Sequence, residues 1–272
     1  MQSTAFLARR PWLLIAFVVT SVAAVNGVAA GIAVALPELS ATALEMIVEL
    51  ILAALAIALL TALRSWGRVG FRALIRLSDL RLYWLPLFPV LPAVPAAIVG
   101  ITGMRFGEIL YFLILACLIG LVEEVFFRGL ILQALAAKGL WRSAILSGVI
   151  FGAMHLLNLL FGADLTATLF QASYAVALGF AFAAVTLRTC VLWPLIVIHA
   201  LTDFTGFISA NEPVTTNLTF TGILIYGLYS VFFIVYGIVV MRSTIRQMQG
   251  RPAGQVTGAT RDDSRNAPGV AA

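Results

Sequence analysis

The sequence predicts an all-α fold, a polytopic membrane bundle of about eight transmembrane helices with both termini in the cytoplasm. Three observations predict it. Hydrophobic residues make up 62% of the 272-residue chain and charged residues only 11%, far from the balance of soluble domains. Apolar segments near the ~17–25 residues that cross a bilayer core recur along the chain. The basic residues gather on alternate sides of those segments, as they do in cytoplasmic loops.

Eight segments follow in order: Trp12–Leu36, Thr42–Leu63, Leu82–Ile101, Phe106–Ala136, Ser143–Phe161, Leu165–Leu187, Val191–Ile208 and Leu218–Met241. Backbone groups in lipid must bond internally, so each reads as a helix. Together they form one transmembrane domain over residues 1–249. The remainder, 250–272, is rich in Gly, Pro, Asp, Ser and Arg without an apolar face and reads as a disordered cytoplasmic tail.

The first segment has the basic flank (Arg9, Arg10), apolar run and small residues of a cleaved signal peptide, but its length favours a retained helix. After the second, Arg64, Arg68, Arg72 and Arg76 recur every four residues beside Trp66 and Phe71. That pattern reads as a basic amphipathic stretch on the anionic leaflet. The third segment carries Pro86, Pro89, Pro92 and Pro95 at every third position. Each removes a helical hydrogen bond, so this crossing is expected to be kinked or partly unwound. With eight crossings, sixteen of the seventeen Lys and Arg residues fall on one side, and only Arg105 on the other. The +5 net charge is therefore a topology signal, and no nucleic-acid partner is implied. Cys117 and Cys190 stand far apart without metal-type spacing and read as small buried residues.

Ionisable groups inside a span are costly and are functional candidates by default. The second segment has Glu45 and Glu49, read as structural groups reaching the interface or Asn26. The fourth has Glu123, Glu124 and Arg128; the fifth has His155; the seventh has His199 and Asp203. The chain's two histidines are both in the membrane. Residues four apart share a helix face, so Glu124 pairs with Arg128, while Glu123, about 100° round the helix, is left for chemistry. Phe151 and Asn158 flank His155 along its helix, and His199 and Asp203 again stand four apart. Three helices thus offer acid–base groups to one interior, the parts of a hydrolytic site: a general base, a water-holding histidine and an oxyanion donor.

Glu123-Glu124-x-x-x-Arg128, Phe151-x-x-x-His155 and His199-x-x-x-Asp203, in that order on successive apolar segments, resemble the three motifs of the CPBP intramembrane protease family. This is the family of CAAX prenyl protease 2, Abi and lysostaphin-resistance-protein-A-like proteins. The matching core covers about residues 106–208. The resemblance implies endoproteolysis of a peptide or lipidated-protein substrate by a multi-pass protein of a bacterial or archaeal plasma membrane. It implies that Glu123 and His155 activate water while His199 and the fourth-position residue stabilise the oxyanion. Glu124, Arg128, Phe151 and Asn158 support them. The prenyl-protease branch has Asn where this chain has Asp203. That carboxyl group must then be protonated, orient His199 or bind a metal. Zinc, held by Glu123, His155 and His199, is the metal reading; the absence of an H-E-x-x-H arrangement weighs toward chemistry without a cofactor. Two other classes stay open, a proton-coupled transporter, since Asp, Glu and His chains also relay protons, and a catalytically inert immunity or scaffold protein of the same fold.

Overall fold

In the computed structural model, residues 10–73, 77–88, 90–210 and 220–249 are described. Arg9, Arg76, Pro89 and the tail from Gly250 lie outside them, as does the start of the eighth segment at Leu218. All regular structure among the described residues is helical. The chain is a polytopic helical bundle, an integral multi-pass membrane protein.

We number the principal helices α1 (Pro11–Ala35), α2 (Ala41–Ala62), α3 (Val94–Thr102), α4 (Phe106–Glu123), α5 (Leu140–Met154), α6 (Leu165–Thr189), α7 (Trp193–Ala210) and α8 (Phe220–Gln249). Among the described residues, six helical stretches are long and apolar enough to span a bilayer: Pro11–Ala35, Ala41–Ala62, Phe106–Lys138, Leu140–Phe161, Leu165–Thr189 and Gly222–Gln249. Trp193–Ser209 is shorter but equally apolar in character. The proline-rich segment before α3 is broken into the short pieces Arg81–Trp84, Leu85–Leu87 and Leu91–Ala93. Pro86 and Pro92 open two of those pieces, where their missing N–H costs no hydrogen bond.

The broken segment is held by side chains rather than by its own ladder. Tyr83 donates to Thr189 Oγ1 at 2.8 Å, and Tyr236 donates to the carbonyl of Leu82. Nearby, Arg72 Nε donates to the carbonyl of Cys190 at 2.8 Å and Leu192 N to that of Gly70 at 3.0 Å. These bonds seat the start of α7 against the basic stretch. Outward, the bundle presents apolar side chains such as Trp12, Phe17, Leu228, Val231 and Val239, the surface a lipid-facing protein requires.

Two glycine contacts set how closely the central helices approach. On α4, a Cβ at Gly120 would stand 2.9 Å from the carbonyl oxygen of Ile196 on α7 and 3.1 Å from the nitrogen of Ala200. On α5, a Cβ at Gly148 would stand 2.8 Å from the nitrogen of Phe180 on α6. Small residues of this kind let backbones meet where lipid offers no hydrophobic drive to association. The consequence is a tight core of α4, α5, α6 and α7, with α2 leaning on α4.

Candidate functional site

Helix α4 changes character at the two acids. After Glu123 the chain winds as a π-helix over Glu124–Ile131 and resumes α geometry at Leu132–Leu135. Every residue of the π segment is buried, and such wide turns inside α-helices often occur at functional sites. Ser147 of α5 donates to the carbonyl of Phe127 at 2.9 Å, bracing the turn.

Within this segment the expected pair forms. Arg128 Nη1 lies 3.0 Å from Glu124 Oε1, both side chains fully buried. The guanidinium carbon sits 4.0 Å from the centre of the Phe151 ring and 5.5 Å from that of Phe182. Arg128 is thus held between one carboxylate and two aromatic faces, an arrangement suited to a planar, weakly hydrated cation. Phe151 of the second motif therefore acts on the first motif as well as on its own histidine.

His199 joins the two glutamates. Its Nδ1 stands 2.9 Å from Glu124 Oε1 and its Nε2 3.2 Å from Glu123 Oε2, with Asp203 Oδ2 at 3.7 Å from the same Nε2. Glu124 Oε1 therefore receives both Arg128 and His199. Glu123, which the sequence left without a partner, has the far side of the His199 ring beside it. The close approach at Gly120 is what allows α7 to place His199 there.

His155 sits where α5 gives way to a 3-10 helix, His155–Phe161. Its Nδ1 lies 3.1 Å from the carbonyl oxygen of Phe151, and its ring meets that of Phe151 edge-on at 4.9 Å. With Nδ1 donating to that carbonyl, Nε2 is the nitrogen left to accept. Asn158 donates to Gln171 at 2.9 Å, so the amide that flanks His155 in sequence is tied to α6.

These groups open onto a cavity of about 570 Å³ lined by Glu123, His155, Asn158, Gln171 and Asp203. A smaller cavity of about 310 Å³, with Tyr174, Tyr226 and Tyr229 in its wall, meets the first at His155, Gln171 and Asp203. The site is assembled from all three motifs. His155 and His199 are not joined by a direct bond.

Glu45 and Glu49, read from sequence as structural, line the same large cavity as Glu123, His155 and Asp203. Asn26 does too, but its side-chain amide donates to the carbonyl of Val22 at 2.9 Å rather than to either acid. Their four-residue spacing gave them one face of α2. What the sequence lacked was the direction of that face, set by the packing of α2 on α4.

Glu123, His155 and His199 are the residues that the sequence offers to a metal. Among the described residues no three His, Cys, Asp or Glu side chains converge to hold an ion, and both ring nitrogens of His199 already face carboxylates. Glu123, His155 and His199 thus do not form a ready ligand set, and no step below is routed through a metal.

Residues 105–205 fit the family model described as type II CAAX prenyl endopeptidase Rce1-like. No curated protein and no solved structure matches the chain. The matched interval runs from the start of α4 into α7 and ends just past Asp203, so all three motifs fall inside it.

Proposed function

From a chain whose residues 105–205 carry the Rce1-like domain of the type II CAAX prenyl endopeptidases, we propose an intramembrane endopeptidase of the glutamate type. It acts on a peptide or lipidated-protein substrate that enters the large cavity. The observation that carries this reading is His199, which meets Glu123, Glu124 and Asp203 at one wall of a cavity that His155 also lines.

In the proposed mechanism, a water lies between Glu123 and His155 Nε2. Glu123 removes one of its protons as the oxygen attacks the carbonyl carbon of the scissile peptide bond. The new oxyanion is stabilised by N–H donation from Nε2 of His199 in its imidazolium form, which Glu123 releases as it takes up the proton, a contribution of a few kcal/mol in such sites. Asp203 contributes as a donor when protonated and otherwise as the group that orients His199. Glu123 then passes its proton to the amide nitrogen. The C–N bond breaks to leave one new carboxyl and one new amino terminus. Glu124 and Arg128 hold His199 at the correct angle throughout, and Phe151 fixes the tautomer of His155 through its carbonyl.

Substrates of the prenylated C-terminal type and small leader-type or bacteriocin-like peptides both suit this chemistry. The cytoplasmic placement of both termini belongs to the same reading, and a reporter fused after residue 249 is expected to read out cytoplasmic. To test the activity, purified protein in detergent or liposomes is incubated with a library of prenylated and unmodified peptides, and products are read by mass spectrometry. Cleavage by the wild type, lost in Glu123→Gln and in His155→Ala, is expected. Cleavage that persists in both variants refutes the assignment.

A further inference from the structure

The large cavity has a second acidic wall that the hydrolytic step does not use. Glu45 and Glu49 lie one turn apart on α2 and line the same cavity as the reactive groups. Neither forms an ion pair with a basic residue among the described residues, since every ion pair there involves Glu123, Glu124 or Asp203. Glu49 Oε2 is buried without a hydrogen-bond partner. Among the described residues no Lys or Arg lines the cavity, and most of the rest of its wall is apolar, with Leu44, Val48, Leu52, Val122, Phe126 and Phe207 among the lining residues.

Ionised acids in such a setting are costly unless a cation accompanies them. Both line the cavity, where a guest reaches them. Glu123 and Asp203 have His199 Nε2 at 3.2 and 3.7 Å, whereas among the described residues neither Glu45 nor Glu49 has an ion-pair partner. A cationic guest in the cavity would meet two carboxyl groups that no neighbouring cation already holds.

We propose that Glu45 and Glu49 form a recognition site for a cationic side chain, Lys or Arg, carried by the substrate peptide close to the cleaved bond. The inference rests on the peptide-cleaving reading and adds to it a class of substrate. The four-residue spacing lets one ammonium or guanidinium group engage both carboxylates from the cavity side. The hydrocarbon stem of Lys or Arg suits the apolar lining around them. Specificity then comes from a charge held outside the catalytic group, by residues outside the interval that matches the family.

Binding, measured apart from cleavage, tests this. A fluorescent peptide with a reduced, non-cleavable bond is prepared with Lys, and in parallel with the uncharged isostere norleucine, at each position flanking that bond. Affinities are read by anisotropy in an uncharged maltoside detergent, which supplies no competing ammonium group. For at least one position the wild type is expected to bind the Lys peptide about 10–100-fold tighter, the range of charge-assisted hydrogen bonds. In Glu45→Gln/Glu49→Gln the two peptides bind alike, while Glu108→Gln, outside the cavity, keeps the preference and controls for a general change in charge. Equal affinities in the wild type, or a preference that survives the double substitution, overturn the proposal. Size-exclusion profiles and thermal unfolding of the double variant confirm that it is folded. Should it unfold, the single Glu49→Gln variant carries the test, with the same preference reduced. Charge-selective binding without any cleavage of ordinary peptides would refute the protease and leave the recognition site standing.

Discussion

Replacing Arg128 by methionine removes a cation from a place where nothing else takes over its contact with Glu124. In the folded protein Glu124 is fully buried, with Arg128 Nη1 at 3.0 Å and His199 Nδ1 at 2.9 Å from the same oxygen. Loss of the guanidinium leaves a carboxylate with one neighbour instead of two, and removes the cation that lies 4.0 Å from the Phe151 ring. Breaking a buried pair from one side costs about 3–5 kcal/mol, and the lost stacking adds about 1–2 kcal/mol. Unfolding in mixed micelles with increasing SDS, followed by tryptophan fluorescence, is the assay. If the cost comes from an uncompensated charge, Arg128→Met/Glu124→Gln should be more stable than Arg128→Met alone, because the second change removes the charge left behind. The two changes are therefore strongly non-additive. Arg128→Lys should recover only part, since an ammonium cannot spread over two aromatic faces. A single variant within about 1 kcal/mol of the wild type would refute the reasoning, as would a double variant no better than the single one.

Glu123→Gln should lower cleavage by roughly 10²–10⁴-fold, the usual weight of a general base, while SDS-induced unfolding stays within about 1 kcal/mol of the wild type; unfolding as severe as that of Arg128→Met would make the residue structural. Gly120→Ala places a Cβ 2.9 Å from the Ile196 carbonyl oxygen, so α4 and α7 must separate; overpacking of this kind costs about 1–3 kcal/mol, and cleavage should fall because His199 moves from Glu123. Normal kinetics in that variant would show that the approach of the two helices is not needed. Dialysis against a strong chelator should leave cleavage unchanged, and activity lost on dialysis and regained with zinc would refute the glutamate-type mechanism.

The helical class of this chain was legible because lipid leaves so few options: composition, segment length and the distribution of arginines all point the same way. The pair Glu124–Arg128 was legible because it is local, a four-residue spacing within one helix. The proline pattern likewise foretold the break, since each ring removes a donor wherever it falls. Other features were not local. His199 touches both glutamates through the approach of two helices at Gly120, and nothing in the 75-residue separation of Glu124 and His199 encodes that distance. The cation–aromatic packing of Arg128 depends in the same way on α5 and α6. Glu45 and Glu49 were visible as a pair but not as part of the cavity, because the direction of a helix face inside a bundle is decided by its neighbours. The π segment left no signal that periodicity could detect in so uniformly apolar a run.

That segment, Glu124–Ile131, carries a further consequence for anyone comparing this chain with others. A ring closed from residue i to i+5 holds one more residue than the α-helical ring. The apolar stripes before Glu123 and after Leu132 are therefore out of phase with each other. A wheel drawn through the whole of Phe106–Lys138 assigns one half of the helix to the wrong side. Sequence comparison in this region should be anchored separately on each side of the wide turn.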